Sequence, residues 1–377
     1  MYRTITTNQM CSMIFILFLG NKLLILPSML YYMAKNDAIL FILANCIFNL
    51  LLIGLFIYAN NKSEKTNIYT RAEVVFGKFL TKFLCVIFVG YFLLKIHLVL
   101  CETENFLFTT IYTVYGSEWF ILPIIIIAMY TVCKGIKNIA RTNEVFSLIV
   151  FICIFASILI SLQNIKLDGL LPLGIAEPGQ WGEMFLKTGM WFGNYFPLFF
   201  LVGQVKVEKG YGKKIMLSGI ISSVVTLVLF GVFYSIFGTS STVHYYAISD
   251  IVSFAPALSS LTKLDWFTVM FYGFAIVMQL ILYLYIIVRL LEHIFEKRFS
   301  FWAYFIFCAV LIGAYTIFAF GIDSVISFYS NIMGIPSFVL NILVPICVIV
   351  LYTVKVKNVD NLHQKNLLKT KGSKVYD

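Results

Sequence analysis

Charge is what this sequence has least of. Only 12% of its 377 residues are Asp, Glu, Lys or Arg, about half the share of an ordinary soluble domain. A soluble chain of this length could bury a large core, but it would still need a charged exterior, and too few charges are present to make one. Paired cysteines are missing too. The eight cysteines (Cys11, Cys46, Cys85, Cys101, Cys133, Cys153, Cys308 and Cys347) stand singly, each in or beside an apolar run. That pattern argues against a disulfide framework or a thiolate metal site and leaves them as small buried hydrophobes. No zinc spacing, G-x-S-x-G elbow or Walker loop occurs, so an ATP-driven pump or a membrane enzyme has nothing to stand on. No cofactor or metal is expected.

Apolar surface is present in excess. Hydrophobic residues make up 60% of the chain, with 37 Phe and 22 Tyr, and the mean hydropathy is +0.92. This is the composition of an all-α integral membrane protein in contact with lipid. Ten apolar runs of spanning length are expected at about 10–33, 38–59, 79–101, 117–134, 143–163, 182–204, 214–238, 265–290, 301–321 and 333–354. Together, residues 1–354 form one transmembrane domain, followed by a basic tail at 355–377. The polar stub Met1–Met10 leads into a run with no small-residue cleavage site after it, which reads as a retained first span and not a signal peptide. The joints at 164–181 and 239–264 are the longest external loops.

The basic residues set the orientation. Twenty-two of the 28 Lys and Arg fall in the N-terminal stub, the even-numbered joints and the tail. Four (Lys35, Lys166, Lys187 and Lys263) fall on the opposite side, and Lys22 and Lys95 lie within spans. By the positive-inside rule both termini are cytoplasmic. The net charge of +10 then reflects topology and anionic lipid contact, not nucleic-acid binding.

Ten spans divide into five and five, about 10–163 and 182–354. An odd number per half inverts the second, the plan of many secondary transporters. That plan expects spans 1 and 6 to be interrupted at matching places. Span 1 reads FLGNKLLILPS, with Gly20, Asn21 and Lys22 ahead of Pro27. Span 6 reads KTGMWFGNYFPLFF, with Trp191, Gly193 and Asn194 ahead of Pro197. Gly and Pro free main-chain groups that cannot face lipid unsatisfied and so must line a cavity. In either span alone they would serve as well for a simple kink; the matched pair favours a binding site at the membrane midplane.

Span 3, YFLLKIHLVLCETENF, carries the other polar cluster. Lys95 and Glu102 share one helix face, as do His97 and Glu104, but a spacing of seven residues is about 10 Å of rise, too long for easy pairing within the helix. Either these groups reach a cavity, or Glu102 and Glu104 lie at the external interface with Lys95 snorkelling. A Lys22–Glu102 pair is one arrangement for the charges. In span 8, Tyr272 is a further candidate; Gln279 lines the cavity or makes an interhelical hydrogen bond. His244 and Asp323 read as loop residues. The candidate ligand-binding residues are therefore Gly20, Asn21, Lys22, Glu102, Trp191, Gly193, Asn194 and Tyr272.

KGIKNIARTNEVF (134–146), LLPLGIAEPGQWGEM (170–184), SSLTKLDWF (259–267) and the broken first span ending Leu26-Pro27 resemble the B subunits of bacterial spore germinant receptors, permeases of the amino acid–polyamine–organocation superfamily. The resemblance covers nearly the whole chain. It implies a LeuT-like fold with discontinuous helices 1 and 6, placed in the inner membrane of a spore beside an A-type membrane subunit and a C-type lipoprotein. It also implies that the chain senses a small germinant, commonly an amino acid, in a pocket between spans 1, 3, 6 and 8. Family members often carry acids where this sequence has Asn194 and Gln204, so the placement of a ligand ammonium does not carry over. An ion-coupled amino-acid transporter on the same fold is the rival reading.

Overall fold

A computed structural model describes residues 5–61, 67–110, 118–174, 176–254, 265–317 and 321–355. The first helix, α1 (Thr7–Leu19), starts at a capping box in which Thr6 and Gln9 satisfy each other's backbone donors. After a 3₁₀ turn at Asn21–Leu23 the chain resumes as α2 (Leu26–Ala34) and runs on into α3 (Ala38–Asn61). Next come α4 (Ile68–Phe76), α5 (Lys78–Thr110), α6 (Glu118–Cys133) and α7 (Ile136–Ser161). The sixth expected span is built in pieces: α8 (Pro178–Lys187), α9 (Gly189–Phe192), a 3₁₀ turn at Gly193–Tyr195, and α10 (Phe196–Phe199). The chain ends in α11 (Tyr211–Phe237), α12 (Ala247–Ser253), α13 (Asp265–Phe295), α14 (Phe301–Ile317), α15 (Ile322–Asn331) and α16 (Gly334–Phe338). A π-helical turn at Val339–Leu343 carries the last of these on towards Lys355.

Among the described residues, six helical runs are long and apolar enough to cross a membrane: Leu26–Asn61, Lys78–Thr109, Ile136–Asn164, Tyr211–Thr242, Gly273–Phe295 and Gly334–Lys355. Thr7–Leu19, Ile121–Cys133 and Trp302–Tyr315 are shorter apolar helices. The exterior is apolar as well. On α7, Leu148, Ile152, Phe155 and Leu159 form an exposed stripe at helical spacing, a surface that suits lipid and not water.

Several expectations about the joints need correcting. Helix α7 begins at Ile136 and not near 143, because Gly135 takes a positive φ that breaks the chain there. The charged joint before span 3 contains α4, capped by the Asn67 side chain, which buries Ile68, Tyr69, Arg71 and Ala72. The joints at 164–181 and 239–264 hold short 3₁₀ turns and α12 within their described parts. Asp323 lies in the first turn of α15. The basic tail beyond Lys355, and the first six residues of SSLTKLDWF, lie outside the described residues.

Helix α13 is the hub, packed on α5, α6 and α7, while α1 packs on α7 and α11. The two broken segments lie side by side and antiparallel. Where they start and finish, the Ile5 N–H donates to the Gln204 carbonyl at 3.2 Å and the Lys206 N–H to the Ile5 carbonyl at 2.9 Å. At their other ends α2 packs against α8. Between these points the Phe18 and Tyr195 rings stack at 5.0 Å, so the two interruptions face each other.

Candidate functional site

The breaks follow from the Gly-Asn and Pro positions. Gly20 ends α1, and Pro27 sits in the first turn of α2, where a missing N–H costs nothing. Gly193 ends α9, and Pro197 sits in the first turn of α10 in the same way. Each glycine is covered by an amide. A β-carbon on Gly20 would overlap the Gln279 side chain of α13, and one on Gly193 would overlap Asn341. Asn341 belongs to the π-helical turn, and its Nδ2 donates to the Gly189 carbonyl at 3.3 Å. Such turns re-aim a side chain and are frequent at functional sites.

Charge gathers beside the span 1 break. Lys22 is buried, its ammonium 3.8 Å from the Phe18 ring centroid and 5.5 Å from that of Phe192. Trp191, the residue before Phe192, is fully buried and donates from Nε1 to Glu102 Oε1 at 2.6 Å. Glu102 is therefore not at an aqueous interface. Nor is Lys95, which is buried with its ammonium 5.6 Å from Tyr91 and 5.7 Å from Tyr283. The Tyr283 hydroxyl accepts from Gln279 Nε2 at 2.6 Å, which ties this cluster back to Gly20. Lys22 and Glu102 come to the same region but do not form an ion pair; the indole of Trp191 holds the carboxylate.

Gly20 thus meets Gln279, Lys22 meets Phe18 and Phe192, and Glu102 meets Trp191, so the span 1 break and α5 both contact the first half of span 6 or α13. The Gly193 face turns elsewhere, to a small crevice shared with Asn45, Phe192 and Asn341. Asn194 is buried in the 3₁₀ turn. Asn21 and Tyr272 are placed by their helix positions alone, since their side chains lie outside the described ones. A cavity of 350 Å³ between α2, α8 and α15, lined in part by Ser28, Lys187, Thr242 and Asp323, lies next to the second half of span 1. Among the described residues, no cluster of His, Cys, Asp and Glu could hold a metal ion.

A family model described as spore germination protein, a spore permease, matches residues 4–321. The chain belongs to that family. No curated protein matches the chain closely enough to serve as a relative. Membership in the spore germination permeases, together with the long apolar helices, makes this a multi-pass membrane protein.

Within this spore germination permease, reading along the chain missed Tyr283 and Asn341 and left Lys95 and Gln279 between a cavity role and a plainer one. All four lie at the breaks or beside their neighbours. The one signal for Lys95 was its shared face with Glu102. Gln204, just past α10, accepts from the Tyr285 hydroxyl at 3.2 Å, and Tyr285 in turn accepts from Arg289 Nε at 3.0 Å. The amide at 204 therefore links span 6 to α13.

Proposed function

We propose that this spore germination permease is the nutrient-sensing subunit of a germinant receptor in the inner membrane of a spore. It binds a small polar molecule, most naturally an amino acid, where the two broken helices meet, and passes a conformational change to an A-type membrane subunit and a C-type lipoprotein. The observation that carries this reading is the meeting of two interrupted helices at a buried cluster of Lys22, Glu102, Trp191 and Lys95. Interrupted backbone at membrane depth is tolerated where it lines a site, and buried ionisable groups in a span are costly enough to need a use. A ligand can signal only if it binds one state better than the other. Groups on both broken helices offer such a difference, because any movement between the helices changes the site.

The architecture in this reading is ten spans in a five-plus-five inverted repeat, with both termini cytoplasmic. A cysteine substituted at Lys209 should then be labelled only from the cytoplasmic side. External labelling there would end both the span count and the repeat. The antiparallel course of the broken segments supports the inversion. The deciding functional test is the germinant dose–response of spores carrying Glu102→Gln, with protein amount measured alongside. A normal response at normal abundance would remove the midplane site. Uptake into proteoliposomes by the purified chain alone, with no effect of the substitution on germination, would favour the ion-coupled transporter.

A further inference from the structure

Helices α5, α6, α13, α14 and α15 surround an apolar cavity of 860 Å³ in which the proposed sensing site has no part. Leu93, Ile125, Leu280 and Leu311 are on its wall. His97, Tyr315 and Tyr329 reach it too, but their polar atoms are engaged. His97 Nδ1 meets the Tyr329 hydroxyl, Tyr329 donates to the Leu94 carbonyl, and Tyr315 donates to Glu104. An ordered water needs about 2–4 polar partners, which such a wall does not supply. An empty void would forfeit dispersion contacts along its whole lining. Hydrocarbon is the filling that suits it. The mouth lies on the lipid-facing surface: Val310 and Phe328 line the cavity and are also 61% and 40% exposed. Beside them Phe305, Ile306 and Ile332 are exposed as well.

We propose that this cavity is a phospholipid site, which seats the acyl chains of one lipid from the leaflet in which α5 and α14 end. Its dimensions carry the assignment. From Gly90 to Leu100 the α5 wall rises ~15 Å, half of the ~30 Å hydrocarbon core of a bilayer. The site is one leaflet deep. A cavity of about 150 Å³ holds benzene, and at that packing 860 Å³ holds ~30 carbon atoms, the two chains of a diacyl lipid. A partner's transmembrane helix is too thick. At 10–12 Å across, it would fill ~1,200 Å³ or more over the same rise. The polar end also fits. Tyr315 meets Glu104 near the ends of α14 and α5, and Ser324, on the wall in the first turn of α15, is exposed there. A headgroup leaves by that end, while the chains run inward towards Gly90 and Leu284.

The test uses the full chain in two ways. Native mass spectrometry of the protein in mild detergent should find one retained diacyl phospholipid per chain. In nanodiscs, a phosphatidylcholine with a diazirine at the end of one chain should label Leu280 and Leu284. Both are buried on α13 and border the cavity, so surrounding lipid reaches them only through it. A β-carbon at Gly90 would meet no atom within 4 Å, which lets Gly90→Phe put a ring into the space without displacing the wall. Retention and inner labelling should both fall ~10-fold or more in that variant, and in Ala314→Phe on the opposite wall. Ile152→Phe, on the exposed stripe of α7, should change neither. Labelling of wild type needs no substitution, so it decides the matter even if a variant fails to accumulate. Label no richer at Leu280 and Leu284 than on α7 overturns the proposal. So does a folded Gly90→Phe that retains its lipid. A partner subunit's helix that cross-links to Val310 and shuts the label out would make the cavity an interface, and the lipid site would fall.

Discussion

Helix α5 presents two polar faces that contain similar groups and treat them differently. On the face towards the broken helices, Lys95 meets rings alone among the described residues, and Glu102 is held by an indole. On the face towards α14 and α15, the Tyr315 hydroxyl donates to the Glu104 carboxylate, and His97 Nδ1 lies 2.9 Å from the Tyr329 hydroxyl. Tyr329 gives its only hydroxyl hydrogen to the Leu94 carbonyl at 2.9 Å, which leaves its oxygen to accept from His97. This second face borders an apolar cavity of 860 Å³, yet its polar groups are answered by tyrosines from the neighbouring helices. One face is a fastening, complete in itself. The other sets its polar groups against aromatic side chains of the broken segments and α13. Polarity within a membrane is therefore no mark of function until its partners are known.

The largest expected effect tests that contrast directly. Glu102→Gln removes the buried charge that the Trp191 indole holds, and a hydrogen bond to a charged group contributes about 1.5–3 kcal/mol. The germinant concentration for half response should move by ~10- to 100-fold at near-normal protein abundance. Gly193→Ala comes next. Its new methyl group must displace Asn341, so response should fall, and Gly193→Leu should abolish it. Adding Asn341→Ala to Gly193→Ala should recover much of the loss, with a coupling energy of ~1 kcal/mol or more in a double-mutant cycle. Additive losses would show that the close contact is incidental.

Tyr329→Phe belongs to the fastened face and should behave in the opposite way. It removes the hydroxyl that His97 and the Leu94 carbonyl share, a loss of about 1 kcal/mol that thermal unfolding would register, while the half-response concentration stays where it was. A shifted dose–response would erase the distinction between the faces. The smallest effect is expected at Glu296, just past α13, whose carboxylate meets Lys78 at 2.8 Å and Lys82 at 2.7 Å. Hydrogen bonds to these two ammonium groups hold its carboxyl at about 2, below the ordinary carboxylate range. Because the folded value is depressed, the contribution is present above the ordinary value and is lost only as pH falls from there through about 2. Glu296→Gln should therefore leave melting curves at pH 5 and pH 7 the same relative to wild type, as an exposed pair allows.

Much of the architecture could be read in advance because it depends on order along the chain. Charge poverty placed the protein in lipid, and Gly-Asn followed by Pro marked both interruptions. The way Pro27 and Pro197 seat in the first turns of α2 and α10 explains why that spacing was informative. What could not be read depends on direction around a helix and on distant partners. Lys95 looked able to snorkel because depth was judged along the span, whereas its helix face points into the molecule. Trp191 and Glu102 are 89 residues apart, and nothing local couples them. Asn341 sits in an apolar run, and only the π-helical turn directs it onto span 6. The short helices inside the joints were hidden because Gly, Pro, Ser and Asp, taken as loop formers, here sit in and between helical turns.

The pairing of Ile5 with the chain after span 6 has a consequence of its own. Both of its hydrogen bonds run between main-chain atoms, so the strap belongs to the peptide and to no side chain. Alanine at Ile5, Gln204 or Lys206 keeps both of its bonds, and a systematic alanine survey would pass over it in silence. Proline at position 5 removes the N–H that reaches Gln204 and, at that position, cuts one of the two cords that bind the beginning of span 1 to the end of span 6.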